Sequence, residues 1–319
     1  MDKNSEVIIP AIREMGGEVE VVDSKRQAFL IKYKRVNFLI TRKFRIGMDF
    51  LDNNDFTRFK DLTAELLFRK GLPTPKTVLL CRDDNENDLR EKLKELDFPI
   101  IVKDAAGSKS KGIFPDIKNI NEAINVVTNN LKKFKRLVAQ KMVSGREFRV
   151  LVLGSKIIGA LELVPPSVVG DGESSVNQLI KEKQKMTKSE TERNTNLKNL
   201  LGDQGESLSS IPEKNKKVFI KNCPCLAEGG MIVDCTEKVN DKIREICVDA
   251  SMASRLSLAG LDILCDDIEK SPKKQNFTII EVNGKPDLYI HHNPTNGKPR
   301  NVTKEIVEFI VEKFKSLEL

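Results

Sequence analysis

The sequence predicts a protein of the mixed α/β (α+β) class that contains more than one compact unit. Short β-like runs, such as residues 19–23 and 99–103, alternate with stretches that have helical apolar spacing. The chain has 319 residues, of which 39% are hydrophobic and 32% charged. This composition is typical of a soluble globular protein with room for two or three units.

The first predicted unit covers residues 1–55. A short helical stretch closes at Gly16 and Gly17. β-like runs then follow at residues 19–23, 28–31 and 36–40. These elements predict a small, incomplete α/β unit.

The second predicted unit covers residues 56–142. We expect Asn53–Asp55 to cap a helix that has Phe59, Leu62, Thr63 and Leu66 on its apolar face and an exposed Lys60. After Pro73 the sequence predicts two strands and two helices. They are a strand at 77–80, a helix around 89–96, a strand at 99–103 and a helix at 121–133.

The third predicted unit covers residues 143–319. Strands are expected at 148–153, 156–163 and 217–220, with exposed helices or a flap in the polar stretch 181–216. A helix over 240–256 is predicted to bury one apolar stripe, and an amphipathic helix ends the chain at 301–319. The predicted stripe comprises Ile243, Ile246, Ala250 and Ala253.

Three oxygen-bearing side chains near the end of the chain are candidate metal ligands. Glu281 and Asn283 share one face of a strand that is predicted to begin at Asn276 and to stop at Gly284-Lys285-Pro286. Asp262 is the single acid in another apolar run, and it would face both residues if the two strands form a hairpin. Such hard oxygen ligands suit Mg²⁺. The alternative is that both acids are edge residues paired with lysines.

A second candidate feature is a polar loop that follows a buried strand. Lys103 lies at the end of the apolar run 99–103, and residues 104–112 supply glycines, serines and lysines. Backbone amides in such a loop can bind phosphate. The spacing is not that of a Walker sequence, and a solvated turn is the simpler interpretation.

Other features favour a small-molecule enzyme of the cytoplasm. The start of the chain lacks a secretory pattern, and no apolar run has membrane-spanning length. The basic cluster at 132–136 is interpreted as a solvated helix end, because a chain with no Trp and only two Tyr is poorly suited to base stacking. We therefore expect no nucleic-acid or membrane partner, and nucleic-acid binding by this cluster is the alternative. The six cysteines have no CxxC spacing, and free thiols are favoured over zinc binding. His291 and His292 are either a base or substrate contact, or ordinary loop residues.

Five stretches in order resemble the ATP-grasp superfamily of carboxylate-amine ligases, and in particular the ATP-grasp modules of cyanophycin synthetases and bifunctional glutathione synthetases. The stretches are residues 98–103, 144–154, 164–172 and 208–212, and the run from Glu281-Val282-Asn283 to Arg300. The resemblance implies the ATP-grasp fold, in which two α/β subdomains clamp ATP. The unit at 1–55 is then a truncated unit that precedes them.

The resemblance also implies roles for individual residues. Lys60 and Lys103 would hold the phosphates of ATP, with Lys103 and Arg149 in catalytic positions and Arg149 steadying an acyl phosphate or a substrate carboxylate. Asp262, Glu281 and Asn283 would bind Mg²⁺, expected as two ions that Mn²⁺ can replace. The remaining nucleotide contacts would be Gly107, Ser108, Lys109 and Gly112 in the loop, Gln140, Lys141 and Val143 beside adenine, and Glu147 at the ribose.

Two positions depart from the family pattern. Gln140 stands where a glutamate is usual, and Cys225 and Ala227-Glu228 replace the usual asparagine and Ser-Thr of a turn. A nucleotide-binding protein without ligase activity is therefore the alternative hypothesis. The leading one is an ADP-forming ligase that joins an amino acid or small peptide to an amine. The short first unit also suggests that a second subunit completes the site, as in a homodimer.

Overall fold

The computed structural model describes residues 3–24, 27–34, 36–40, 57, 59–106, 112–187, 195–222, 224 and 229–315. The chain divides into two compact units. One comprises Met1–Ala160, Thr236–His292 and Arg300–Leu319, and the other comprises Leu161–Cys235 and Asn293–Pro299. The mixed α/β class predicted from the sequence is confirmed. The predicted domain boundaries after residues 55 and 142 stay a prediction.

The first layer of the larger unit is a three-stranded antiparallel sheet covered by two helices. Its strands lie in the order β1-β2-β3, and its core includes Ile12 and Ile31, which are fully buried. Ile306 of the last helix packs into the same core. The elements are α1 (Lys3–Glu14), β1 (Glu18–Asp23), β2 (Ala28–Tyr33), β3 (Val36–Ile40) and α9 (Val302–Lys315).

The second layer is a four-stranded antiparallel sheet in the order β4-β7-β5-β6. Asn85 begins α3 with a capping box, in which its side chain accepts a hydrogen bond from the Asp88 backbone N–H. Leu93 and Val127 of the two outer helices are fully buried against the sheet. The elements are α2 (Lys60–Arg69), β4 (Thr77–Cys81), α3 (Glu86–Lys94), β5 (Ile100–Asp104), β6 (Ile113–Ile117), α4 (Ile120–Leu131) and β7 (Arg136–Lys141).

The third layer of the larger unit positions the candidate site. Its strands are antiparallel, with β8 and β14 on either side of β13, and β9 lies beside β8. The apolar residues of β13 are buried except Leu264, which is half-buried. The elements are β8 (Arg146–Leu153), β9 (Lys156–Val164), α7 (Asp241–Ala253), β13 (Leu258–Cys265), β14 (Phe277–Asn283) and α8 (Tyr289–His292), with 3-10 turns at Thr236–Lys238 and Pro272–Lys274.

The smaller unit has its own core of apolar side chains. Val176, Ile180, Leu201 and Val218 are almost completely buried there. The last residues of β9 pair antiparallel with β12 in this unit. The elements are β10 (Ser167–Val169), α5 (Val176–Thr187), α6 (Thr195–Asp203), β11 (Lys217–Phe219) and β12 (Met231–Asp234). The prediction that residues 181–216 are partly helical is confirmed at 181–187 and 195–203, whereas 204–216 form turns and irregular structure. Leu197 and Leu201 are buried, not exposed.

Two predicted helix faces differ from the structure. In α2 the buried residues are Thr63, Ala64 and Leu67, whereas Leu62 is 51% exposed. The predicted cap at residues 53–55 lies outside the described residues. In α7, Cys247 and Ser251 are buried with Ile243 and Ala250, and the predicted Ile246 and Ala253 are only half-buried. Thr63 was predicted on the inner face of α2 and is buried. The small or polar residues Ala64, Cys247 and Ser251 also lie on the inner faces, and apolar periodicity did not detect them. Within the described ranges no helix is long and apolar enough to cross a membrane.

Candidate functional site

Three charged side chains form a row across three neighbouring strands. Asp262 on β13 lies opposite Arg149 on β8 and opposite Glu281 on β14. Asn283 lies opposite Gly260, two residues along the same strands. Side chains of directly opposed residues share one face of a sheet, so the predicted hairpin that brings Asp262 to Glu281 and Asn283 is confirmed. Their role as metal ligands stays a prediction.

Arg149 and Asp262 form a buried ion pair. The guanidinium donates to both carboxylate oxygens, with 2.9 Å between Nη2 and Oδ2 for one of these bonds. The Asn283 amide also donates to Oδ2, at 3.4 Å. Burial raises the pKa of Asp262, and the Arg149 guanidinium opposes that rise. The pairing thus opposes the neutralisation of the carboxylate that burial favours at this position.

A glycine is required at position 260 because the chain that follows β14 passes close to it at Pro286. A Cβ atom at this position would lie 2.8 Å from the Pro286 Cβ and 3.7 Å from the Arg149 Cδ. A side chain at this position would therefore push on Pro286, beside the Arg149 side chain.

Lys60 approaches Glu281 from the first turn of α2. Its Nζ lies 3.3 Å from Oε1 of Glu281, and the Lys60 side chain is only 13% exposed. The Lys60 backbone N–H donates to the Ala105 carbonyl at 3.2 Å, which ties the start of α2 to the chain after β5. The sequence-based expectation that Lys60 is exposed was therefore wrong. Lys60 is the first residue of α2, and its side chain lies against Glu281 of β14.

Lys103 brings a second ammonium group to the same place. Its Nζ donates to the Gln140 side-chain oxygen at 3.0 Å. Burial lowers the pKa of Lys103, Glu281 raises it and Lys60 lowers it further. Lys103 is therefore near enough to Lys60 and Glu281 for their charges to affect its pKa.

Glu147 lies two residues before Arg149 on β8 and therefore on the same face of the strand. Burial and the Asp262 carboxylate raise the pKa of Glu147 to about 7, while Arg149 and Lys103 lower it. Such a carboxyl group changes its charge near neutral pH, which makes it a candidate functional group.

The predicted adenine-contacting residues also lie together. Gln140 is 3% exposed on β7, and the Lys141 side chain forms an ion pair with Asp97 at 3.1 Å. Lys141 and Val143 line a cavity of about 320 Å³ with Thr278 of β14. The structure thus places Lys141 and Val143 beside the strand that carries Glu281.

Part of the predicted phosphate loop is described by the structure. Gly112 has φ +69°, and its carbonyl accepts a hydrogen bond from the Asp104 backbone N–H at 2.9 Å. Gly107, Ser108 and Lys109 lie outside the described residues, as do Cys225, Ala227 and Glu228. Their roles stay predictions.

The donor set fits a hard divalent cation. Asp262, Glu281 and Asn283 offer carboxylate and amide oxygens from adjacent strand positions. The described part of the chain contains no cluster of three or more His, Cys, Asp and Glu side chains that could hold a metal. A site here therefore depends on the Asn283 oxygen or on ligands from bound phosphate. The choice of Mg²⁺ or Mn²⁺ and the number of ions stay predictions.

The burial and contacts of the two histidines and of Cys247 and Cys265 favour a structural role for these residues. His291 is completely buried, and a Cβ at Gly159 would lie 2.5 Å from its Nδ1. His292 Nε2 lies 2.6 Å from the Thr303 hydroxyl. Cys247 and Cys265 are fully buried, and burial raises the pKa of each thiol to about 12. These thiols are not nucleophiles in the folded protein.

Sequence reasoning missed Thr77 in the candidate site. Its hydroxyl accepts a hydrogen bond from the Gln140 amide at 2.7 Å and donates to the Pro75 carbonyl at 2.9 Å. A single polar residue opening an apolar strand is the only local signal, and it is too common to be diagnostic.

Comparison with known proteins identifies the domain. Residues 57–201 match the RimK-like ATP-grasp domain. Cyanophycin synthetase of Nostoc sp. is 29% identical over 264 residues, which cover 79% of this chain and 29% of that protein. The glutathione biosynthesis bifunctional protein GshAB of Clostridium perfringens is 26% identical over 264 residues, which cover 79% of this chain and 33% of that protein. The chain thus spans about a third of the length of these relatives.

The fold comparison agrees with the sequence comparison. The crystal structure of a bifunctional glutathione synthetase from Pasteurella multocida superposes with a TM-score of 0.62 at 19% identity, covering 95% of this chain and 44% of that one. At this identity the likeness concerns the fold. Together these comparisons show that residues 57–201 form a RimK-like ATP-grasp domain and that the chain is similar in sequence and fold to cyanophycin and glutathione synthetases.

Proposed function

We propose that this protein is an ATP-dependent, ADP-forming ligase that joins a carboxylate to an amine. The observation that carries the proposal is the convergence of two lysines with two carboxylates and an amide. Lys60 contacts Glu281 directly, and Lys103 is electrostatically coupled to Lys60, Glu281 and Asp262. All five residues, Asn283 included, belong to one compact unit.

The arrangement suits phosphoryl transfer, because that chemistry depends on positioning and charge neutralisation and needs no nucleophilic side chain. A substrate carboxylate oxygen would form a bond to the γ-phosphorus as the bond to the β,γ-bridging oxygen breaks, which releases ADP. The amine would then form a C–N bond at the acyl carbon. The C–O bond to phosphate breaks, and the amine loses a proton.

The residues of the chain have distinct parts in this scheme. Lys60 and Lys103 would neutralise negative charge on the phosphate oxygens, and Arg149 would hold the substrate carboxylate or acyl phosphate. Glu147 would bind the ribose hydroxyl groups when ionised. Asp262, Glu281 and Asn283 would hold Mg²⁺ or Mn²⁺, expected as two ions. These cations would further neutralise the negative charge of the phosphates.

The substrate class we propose is an amino acid or a small peptide. Support comes from relatives named for cyanophycin and glutathione synthesis. The free thiols of Cys81, Cys247 and Cys265 are compatible with a reducing, cytoplasmic location. We propose no nucleic-acid or membrane partner, and a homodimer remains part of the proposal.

A phosphate-release screen tests this function. Wild-type protein would be incubated with ATP, Mg²⁺ and pairs of amino acids or dipeptides, and at least one pair should stimulate phosphate release above the ATP-only rate. Glu281→Gln should reduce the stimulated rate by about 100-fold. The matched control is Glu305→Gln, since Glu305 also pairs with a lysine, at 2.8 Å from Lys156, but on α9.

The outcomes separate the two hypotheses. Stimulated release that is lost in Glu281→Gln and kept in Glu305→Gln supports a ligase. Tight ATP binding by calorimetry without release for any pair would instead support a nucleotide-binding protein that lacks ligase activity. Equal rates in both variants would refute the assignment of Glu281.

A further inference from the structure

A directional chain of hydrogen bonds runs from Lys103 through Gln140 and Thr77 to Pro75. The Lys103 ammonium donates to Gln140 Oε1 at 3.0 Å, and Gln140 Nε2 donates to Thr77 Oγ1 at 2.7 Å. The Thr77 hydroxyl donates to the Pro75 carbonyl at 2.9 Å. Each donor points away from Lys103.

The two ends of this chain fix the orientation of the Gln140 amide. A lysine ammonium only donates hydrogen bonds, and a proline carbonyl only accepts them. The single hydroxyl hydrogen of Thr77 is committed to Pro75, so Thr77 Oγ1 can only accept from Gln140. The amide nitrogen must therefore face Thr77, and the amide oxygen must face Lys103.

The strand register explains why these residues meet. Gln140 on β7 lies opposite Thr77 on β4 and opposite Ile101 on β5. Lys103 is two residues beyond Ile101 and thus on the same face of β5. Gln140 is 3% exposed, so the amide is enclosed and has few alternative partners.

A glutamate in place of Gln140 would not fit this chain of hydrogen bonds equally well. A carboxylate has no hydrogen for Thr77, so Thr77 would have to turn its hydrogen away from Pro75 to bind the carboxylate. The added negative charge would also pair with the Lys103 ammonium and compete with phosphate for it. The environment formed by Thr77 and Pro75 therefore matches glutamine.

We propose that Gln140, oriented by Thr77, is a positioning residue that holds the Lys103 ammonium toward the nucleotide phosphates without neutralising its charge. This inference rests on the proposed ATP-dependent function and deepens it. It also gives Gln140 a defined role, so the departure from the usual glutamate is not a sign of lost activity.

The test uses substitutions at both ends of the Gln140 amide. Affinities for ADP and for a non-hydrolysable ATP analogue would be measured by calorimetry in the presence of Mg²⁺, on the full chain. Gln140→Glu should weaken binding of the ATP analogue by about tenfold, the loss expected for one hydrogen bond to a charged group. The matched control is Gln204→Glu. Gln204 is also a hydrogen-bonded amide, whose nitrogen donates to the Leu200 and Phe219 carbonyls outside this cluster.

Thr77 is tested by whether its effect depends on Gln140. Thr77→Val removes the hydroxyl and should weaken analogue binding by about fivefold, because the amide is then free to turn its nitrogen toward Lys103. Thr77→Ser restores the hydroxyl and should bind as wild type. In the Gln140→Glu background Thr77→Val should have little further effect, because a carboxylate presents an oxygen on both sides.

A second readout reports on Lys103 itself. The rate of acylation of Lys103 by an amine-reactive ester, followed by mass spectrometry without nucleotide, should change in Gln140→Glu and in Thr77→Val but not in Thr77→Ser or Gln204→Glu. Unchanged melting temperatures would exclude general loss of structure.

The measurements distinguish failure of the positioning role from failure of the proposed function. If wild type binds the analogue but Thr77→Val binds it as tightly as Thr77→Ser, or if the effects of Thr77→Val and Gln140→Glu are additive, the positioning role is refuted and the proposed function stands. If wild type does not bind the analogue at all, both are refuted.

Discussion

The Arg149 guanidinium and the Asp262 carboxylate form a two-bond ion pair between directly opposed residues of β8 and β13. The side chains are 19% and 8% exposed, respectively, so neither charge is well solvated. Each group therefore depends on the other, and the pair joins the predicted substrate-holding arginine to a predicted metal ligand.

Removing Arg149 alone is predicted to destabilise the protein. Arg149→Met should lower the free energy of unfolding by about 3–5 kcal/mol, because it leaves the Asp262 carboxylate buried without its partner. Urea denaturation would measure the change. The double variant Arg149→Met/Asp262→Leu should recover most of it.

The control for this prediction is Lys156→Met, which removes one partner of an ion pair whose side chains are 61% and 39% exposed. Its expected cost is below about 1 kcal/mol. Equal costs for Arg149→Met and Lys156→Met would contradict the view that Asp262 depends on Arg149.

Glu147 should make stability depend on pH. Its pKa is about 7 in the folded protein, above the ordinary value of 4.5. Between these values the folded state holds a proton that the unfolded state has lost. The contribution of protonated Glu147 to stability is complete below about pH 4.5 and is lost as the pH rises through 7. Over this range its contribution to the free energy of unfolding falls with a slope approaching about 1.4 kcal/mol per pH unit.

The measurement compares wild type with Glu147→Gln, because other groups also titrate in this range. The difference in unfolding free energy, wild type minus variant, should fall between pH 4.5 and 7 and be constant above about pH 8. A difference that rises with pH would show that the environment favours the ionised carboxylate.

Gly260 and Gly202 should respond oppositely to alanine. Gly260→Ala places a Cβ 2.8 Å from the Pro286 Cβ, so the variant should lose about 1–3 kcal/mol of stability. Gly202 lies in α6 with no atom within 4 Å of an added Cβ, and Gly202→Ala should gain up to about 1 kcal/mol. Thermal denaturation would measure the stability of both variants. A Gly260→Ala variant as stable as wild type would contradict the close packing described around Gly260.

The buried thiols should be unreactive in the folded protein. Cys235, Cys247 and Cys265 are buried, and the pKa of the latter two thiols is raised to about 12. A thiol-reactive disulfide reagent should leave these three unmodified in native protein, as judged by peptide mapping, and should modify all six cysteines of the chain after unfolding in urea. Rapid modification of Cys247 in native protein would contradict the described core.

Local patterns were sufficient for the central part of the site. Alternation along two apolar runs, each interrupted by acids or an amide, predicted that Asp262, Glu281 and Asn283 share a face, and the β13–β14 register confirms it. The strand end that carries Lys103 was predicted in the same way. Both inferences need only the two-residue period of a strand.

Contacts between distant segments were not predictable from these patterns. The pairing of Arg149 with Asp262 depends on the β8–β13 register, and the Thr77–Gln140 bond depends on the β4–β7 register; neither pair of strands is consecutive in the chain. The burial of Lys60 was missed for a related reason. α2 packs against β14, and its buried residues Ala64 and Leu67 were missing from the predicted apolar face, which named only Thr63 correctly.

The most direct test of the central claim follows oxygen from the carboxylate to phosphate. A carboxylate substrate from the phosphate-release screen would be labelled with ¹⁸O and incubated with ATP, Mg²⁺, the amine and the protein, and the released phosphate would be analysed by mass spectrometry. An acyl-phosphate route predicts one ¹⁸O atom in each released phosphate, because the attacking carboxylate oxygen leaves with the phosphorus. Unlabelled phosphate would mean that water attacked ATP, and it would contradict the assignment of this site to carboxylate activation.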